Sequence, residues 1–120
     1  MSTVLIVDDV QTERDLLGKV VLATGNQPAY AINGEEALKK VGQVKPALIL
    51  LDVVMPGMDG FNACRQLKRN ADTAAIPVVL ITHKGSESDV FWGKKQGADD
   101  YIIKPFTPER IKEVIRRFAP

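Results

Sequence analysis

Four short apolar runs, none of them alternating with polar residues, decide what this chain can fold into. Residues 3–7, 47–51, 77–81 and 101–103 place Val, Ile and Leu on consecutive positions. A strand with one wet face alternates; unbroken runs of branched aliphatics belong to strands covered on both faces. Gln27–Ala31 is a weaker fifth strand, and Pro28 within it, unable to donate to a ladder, suits a sheet edge. Amphipathic stretches with capping signals separate the runs. Leu16, Leu17, Val20 and Val21 form one stripe, with Gly25 as the stop. Asn33-Gly34-Glu35-Glu36 reads as a capping box, and Thr107-Pro108 as a capping hydroxyl followed by proline at the first helical position. Ile111, Val114, Ile115 and Phe118 then fall at i, i+3, i+4 and i+7. Helices over about 59–69 and 86–96, the second stopped by Gly97, complete the set. The order is β-α five times over, which predicts an α/β fold with a parallel sheet and helices on both faces.

At 120 residues the chain is long enough for one core and reads as a single domain over 1–120. Nothing follows the fifth helix, so output is expected from this domain's own surface. Sixteen basic and fifteen acidic residues give a formal charge of +1, which offers no case for nucleic acid or an anionic membrane as partner. No apolar stretch has the length of a membrane span and no signal peptide is present, so a cytoplasmic location is expected. The single cysteine, Cys64, excludes an intramolecular disulfide and reads as a packed thiol.

The polar residues that close these runs carry the chemistry. Asp8 and Asp9 follow the first expected strand, Asp52 the third, Thr82 closes the fourth and Lys104 follows the fifth, counting Gln27–Ala31 as the second. In open α/β sheets, ligands bind at the carboxyl ends of the strands. Three acids converging there repel one another and resist losing water unless a cation balances them. A divalent metal with oxygen ligands, together with Lys104, would do so. Asp52 is then the natural nucleophile for an acyl phosphate, with Thr82 and Lys104 placed to contact phosphoryl oxygens.

The stretches VLIVDD (4–9), LLDVVMPGMDG (50–60), VVLIT (78–82) and GADDYIIKPF (97–106) resemble the receiver domains of two-component response regulators. The likeness covers essentially the whole chain. It implies a doubly wound (βα)5 fold with the flavodoxin-like strand order 2-1-3-4-5. It further implies that Asp52 accepts a phosphoryl group from a histidine kinase with Mg2+, or Mn2+ in its place. Asp9, Asp52 and the Val54 backbone carbonyl would ligate the metal directly, and Asp8 mainly through water. Lys104-Pro105 matches a cis peptide of the family, and Tyr101 an aromatic that swings inward as Thr82 moves toward the phosphoryl group. Phosphorylation would then bias the fourth and fifth helices and the strand between them toward a partner-binding state. The run 91–98, FWGKKQGA, is similar to single-domain regulators of chemotaxis-like and type IV pilus (twitching) motility systems. A chemotaxis-type kinase, a monomeric state and a phosphoacceptor role, not that of a classical enzyme, follow as expectations.

Three other classes fit these residues less well. A phosphorylation-independent interaction module with this fold is free to discard Asp9, Asp52 or Lys104, and all three are present. A phosphohydrolase of aspartyl-phosphate type usually places a second acid where Val54 stands. A mononucleotide binder of the same architecture needs phosphate-binding donors where Asp8 and Asp9 lie. His83 departs from the family pattern, which places a small residue after the threonine; it reads as a partly exposed imidazole without a role, and the functional alternatives are a narrowed access to Asp52 or a pH-sensitive contact to the phosphoryl group. An apolar Val54 gives an attacking water no side-chain help, so the acyl phosphate should persist beyond seconds, as a decay assay on the isolated adduct would read. Of the aromatic pair on the fourth helix, Phe91 is expected on the sheet and Trp92 at its margin or against a partner. Asp99-Asp100 reads as a solvated turn.

Overall fold

In the computed structural model, which describes residues 2–119, five strands and five helices alternate from end to end. The strands are β1 (Thr3–Val7), β2 (Gln27–Ala31), β3 (Leu48–Leu51), β4 (Val78–Thr82) and β5 (Asp100–Ile103). The helices are α1 (Gln11–Ala23), α2 (Gly34–Val44), α3 (Gly60–Arg69), α4 (Glu87–Lys95) and α5 (Pro108–Phe118). All strand pairs are parallel and the order is β2-β1-β3-β4-β5, with proline-bearing β2 at one edge.

The unbroken apolar runs are explained by two separate cores. Side chains alternate across a strand, so Leu5, Val7, Ile49, Leu51 and Leu80 face one way, onto Ala37, Val41, Ala63, Cys64 and Leu67 of α2 and α3. Val4, Ile6, Leu48, Leu50, Val79 and Ile81 face the other, onto Leu17, Val20 and Val21 of α1 and Ile111, Val114 and Ile115 of α5. The chain leaves β1 toward β2 on one side and later returns to β3 on the other. The crevice at this reversal opens at the C-terminal ends of β1 and β3.

The caps agree with the sequence pattern, with one displaced bond. Asn33 Oδ1 accepts from the Glu36 amide at 2.8 Å, but Glu36 reaches back to the Ile32 amide at 3.2 Å, one residue before the capping residue. Thr107 caps α5 through the Arg110 amide. At α4 a full capping box joins Ser86 and Asp89, although the sequence reading placed none there.

Three local expectations are corrected, the last of them in part. Leu16 of the α1 stripe is exposed, because the residues turned onto the sheet are Leu17, Val20 and Val21. Phe91 does not pack on the sheet: it is 64% exposed, and Trp92 49%. Helix α4 turns Val90 and Gly93 inward instead, and a methyl on Gly93 would stand 2.8 Å from the Tyr101 ring and 2.9 Å from Leu80 Cδ1. That contact is too close for a bulky side chain on the inner face. Asp99-Asp100 is the solvated turn only in part: Asp99 is exposed just before β5, but both carboxylates are paired. Asp99 accepts from the Val78 amide and pairs with Lys68, both at 2.8 Å, while Asp100 opens β5 and pairs with Arg110 at 3.0 Å.

Candidate phosphoacceptor site

Backbone pairing at the strand ends delivers the acids. The Asp8 amide donates to the Ala31 carbonyl at 3.1 Å and the Asp52 amide to the Val7 carbonyl at 2.9 Å. Each aspartate therefore stands one residue beyond a buried strand, held by the last rung of its ladder. The Lys104 amide donates to the Thr82 carbonyl at 2.8 Å, which brings the end of β5 to the end of β4 in the same way. Below the loop that follows Asp52, Gly60 leaves room that no side chain could share. Its Cβ would fall 2.7 Å from Val53 Cα and against the Asp52 carbonyl.

The side chains converge above those ends. One oxygen from each of Asp8, Asp9 and Asp52 lies within 4.8 Å of the others, a spacing that suits hard oxygen donors around one small cation. Lys104 Nζ donates to Asp8 Oδ2 at 3.1 Å and stands 3.8 Å from Asp52 Oδ2. Asp8 is only 1% exposed, and its other oxygen accepts from the Val10 amide at 3.0 Å. Asp52 Oδ1 accepts from the Val53 amide at 2.8 Å. Burial pushes the Asp52 carboxyl above its ordinary range, and the Asp8 charge adds to that; Lys104 and the Val53 and Val54 amides pull it back without cancelling it.

The remaining sequence candidates fall into two groups. Thr82 is buried at the same sheet end, its hydroxyl accepting from the Lys84 amide at 3.3 Å, and Val54 lies exposed in the loop after Asp52. The Lys104–Pro105 bond is cis. Tyr101 stands apart from the acids: its ring lies inward at 8% exposure, and its hydroxyl donates to the Lys84 carbonyl at 2.6 Å. Burial and the Asp89 and Asp52 charges push this phenol up to about 12. His83 is exposed beside Lys104, in the wall of a small recess.

Two neighbours were missed. Glu13 Oε2 lies 3.9 Å from Lys104, a third carboxylate around one ammonium, and Arg14 donates to the Asp8 carbonyl at 2.8 Å. Both stand in the first turns of α1, directly after the acid pair. An acid in a first helical turn has an ordinary explanation in the helix dipole, which concealed Glu13.

The response regulator receiver domain pattern matches residues 4–116. This chain belongs to that family. Among relatives, PilH of Pseudomonas aeruginosa is 44% identical over 115 residues, 96% of this chain and 95% of PilH. The phosphate regulon regulator PhoB of Escherichia coli is 40% identical over 121 residues, but this receiver spans only 53% of PhoB's length. Of solved structures, the chemotaxis protein CheY4 of Vibrio cholerae superposes with a TM-score of 0.92 at 29% identity, covering 99% of both chains. The receiver domain of a Syntrophus aciditrophicus histidine kinase gives 0.91 at 36%, covering 98% of this chain and 89% of that one. The receiver thus has the flavodoxin-like order expected of it, with PilH and a chemotaxis protein among its relatives. Receiver domains hold Mg2+ in an acidic pocket, and Asp8, Asp9 and Asp52 form an acidic cluster in this one. Among the described residues, no helix is long and apolar enough to cross a membrane.

One expected outcome concerns His83 at the rim of this site. His83→Ala should speed phosphorylation by small donors by roughly two- to tenfold, since it opens the rim beside Lys104 without touching the acids. The measurement is the initial rate with acetyl phosphate; an unchanged rate would make the imidazole a bystander.

Proposed function

We propose that this chain is a stand-alone response regulator whose Asp52 takes a phosphoryl group from a histidine kinase, in motility control of the chemotaxis or pilus type. The observation that carries the reading is Lys104, set 3.1 Å from Asp8 and 3.8 Å from Asp52 with Thr82 at the same sheet end. The near-full-length likeness to PilH supports the single-domain and motility parts. The protein would act in the cytoplasm as a monomer, with a chemotaxis-type kinase as donor.

In the transfer, an Asp52 oxygen attacks phosphorus as the bond to the donor nitrogen breaks; the electron pair stays on that nitrogen, and with the other ring nitrogen protonated the donor leaves as a neutral histidine, giving an acyl phosphate on Asp52. Asp9, Asp52 and the Val54 carbonyl would hold Mg2+ directly and Asp8 through water, and the ion (or Mn2+) would place positive charge against the phosphoryl oxygens. Lys104 stands close enough to turn from Asp8 and make a charge-assisted bond to one phosphoryl oxygen. The Thr82 hydroxyl would donate to another, drawing the loop 83–86 inward. Tyr101 is bonded to the Lys84 carbonyl in that same loop, so its displacement reaches β5 and α4. The α4-β5-α5 face would carry the result to a downstream protein.

Mass spectrometry of the intact protein with acetyl phosphate tests the chemistry. A single Mg2+-dependent phosphoryl adduct, absent in Asp52→Asn, is the expected result. No adduct, with acetyl phosphate or with a purified kinase, would leave a binding module with a receiver fold.

The same substitution has a second expected outcome, on stability. A carboxyl held above its ordinary range favours the fold while protonated, and that contribution is lost as pH rises through its raised value. At neutral pH and without Mg2+, ionised Asp52 therefore opposes folding. Asp52→Asn should raise Tm there, and the difference should shrink as pH falls below the carboxylate range. Thermal melts in chelator across pH would read it, and a lower Tm for Asp52→Asn at neutral pH would contradict it.

A further inference from the structure

Beside Lys104 a recess of about 150 Å³ opens between the start of α1 and the turn that leads into α5. Its wall is mixed. Leu16, Pro105 and Phe106 supply apolar surface, while Lys104, Glu13 and His83 supply polar groups. Leu16 is exposed, whereas Leu17, Val20 and Val21 of the same helix are buried. Phe106 is partly buried against the α1–α5 core, so the apolar floor is anchored to the scaffold. A small cavity lined by a buried lysine and by hydrocarbon, with one carboxylate, Glu13, beside the lysine, suits a phosphoryl donor with an apolar tail once the lysine turns to the phosphoryl group. The phosphoacceptor carboxylate lies 3.8 Å from that same ammonium.

We propose that this recess is an acyl subsite, seating the hydrocarbon part of small acyl phosphates so that they phosphorylate Asp52 directly. The inference rests on Asp52 being the phosphoacceptor. In the step, an Asp52 oxygen bonds to phosphorus and the bond from phosphorus to the acyl oxygen breaks. The electron pair leaves with that oxygen as a carboxylate, and no proton or oxidant is needed. Lys104 holds a phosphoryl oxygen, and Leu16 and Phe106 cover the acyl group. Glu13 faces the departing carboxylate and repels it, so it sets a limit on how long product stays.

The recess therefore discriminates by the acyl group. Acetyl phosphate offers one methyl to the apolar wall, and benzoyl phosphate offers a ring. Removing that much apolar surface from water accelerates phosphorylation at subsaturating donor by about tenfold. Intrinsic reactivity also differs between the two donors, so the decisive quantity is the ratio of their rates in the protein and in Leu16→Ser. Leu16 is exposed and touches only the acyl group, so the variant keeps its fold, and its loss with acetyl phosphate, which offers one methyl, is smaller than its loss with benzoyl phosphate.

The test is the rate of adduct formation with each donor, followed by intact mass. A benzoyl-to-acetyl ratio that falls about fivefold or more in Leu16→Ser supports the subsite. An unchanged ratio overturns it, as does a variant slowed only with a phosphorylated histidine protein as donor, since the recess would then serve a protein surface. Absence of any adduct with acetyl phosphate in the unaltered protein is a different failure: it removes the phosphoacceptor reading, and the subsite with it.

Discussion

Lys104→Ala destabilises the protein by roughly 2–4 kcal/mol in metal-free buffer, and millimolar Mg2+ restores much of the loss. Removing one partner of a buried pair strands the other, and the stranded group here is Asp8, 1% exposed. Asp52 and Glu13 lose the same cation, at 3.8 and 3.9 Å. The upper end of the range is moderated because Asp9 is exposed and water reaches the rim of the site. Restoration by Mg2+ separates this effect from ordinary core damage, which a cation would not repair. Urea melts with chelator and with Mg2+ give both numbers; equal losses in the two conditions would show that Lys104 matters for packing alone.

The second large effect is expected at Gly93→Ala, away from the acids. A methyl there meets Tyr101 Cε2 at 2.8 Å, Tyr101 Cδ2 at 2.9 Å and Leu80 Cδ1 at 2.9 Å. Overpacking of this kind costs about 1–3 kcal/mol unless a side chain leaves. Leu80 is locked in the central sheet, so the ring of Tyr101 is the part that can go. It would give up its bond to the Lys84 carbonyl, and its phenol would fall from about 12 toward the ordinary value near 10. Nitration by tetranitromethane followed by peptide mapping reads this directly. Tyr101 should be protected in the unaltered chain and modified in Gly93→Ala, with Tyr30 as the internal reference. A protected Tyr101 in the variant would mean that α4 shifts instead of the ring.

The layered fold was legible because its strongest signal is burial on both faces. Consecutive Val, Ile and Leu left no other arrangement for β1, β3 and β4, and the acids fell at the strand ends by counting. What the sequence concealed was contact made across elements. Glu13 sits beside Lys104 only because α1 and the end of β5 meet at one rim, and nothing local marks it. Phe91 looked like a core residue by its hydrophobicity, yet glycine decided the inner face of α4, since Tyr101 from β5 already fills that space. Asp99 and Asp100 resembled a turn because their partners, Lys68, Arg110 and the Val78 amide, lie 10 to 31 residues away in the chain. Periodicity sees one element at a time, and these three positions depend on two.

Trp92 shares a notch of about 220 Å³ with Asp59, Phe61, Asn62, Arg65 and Gln96, one wall from α3 and the other from α4. The loop from Asp52 leads into α3 and the loop from Thr82 into α4, so both walls hang from the segments that would surround a phosphoryl group. It is the chain's one tryptophan. Its emission is therefore an uncontaminated optical gauge of the gap between those two helices, supplied by the protein itself and readable without a dye or a label.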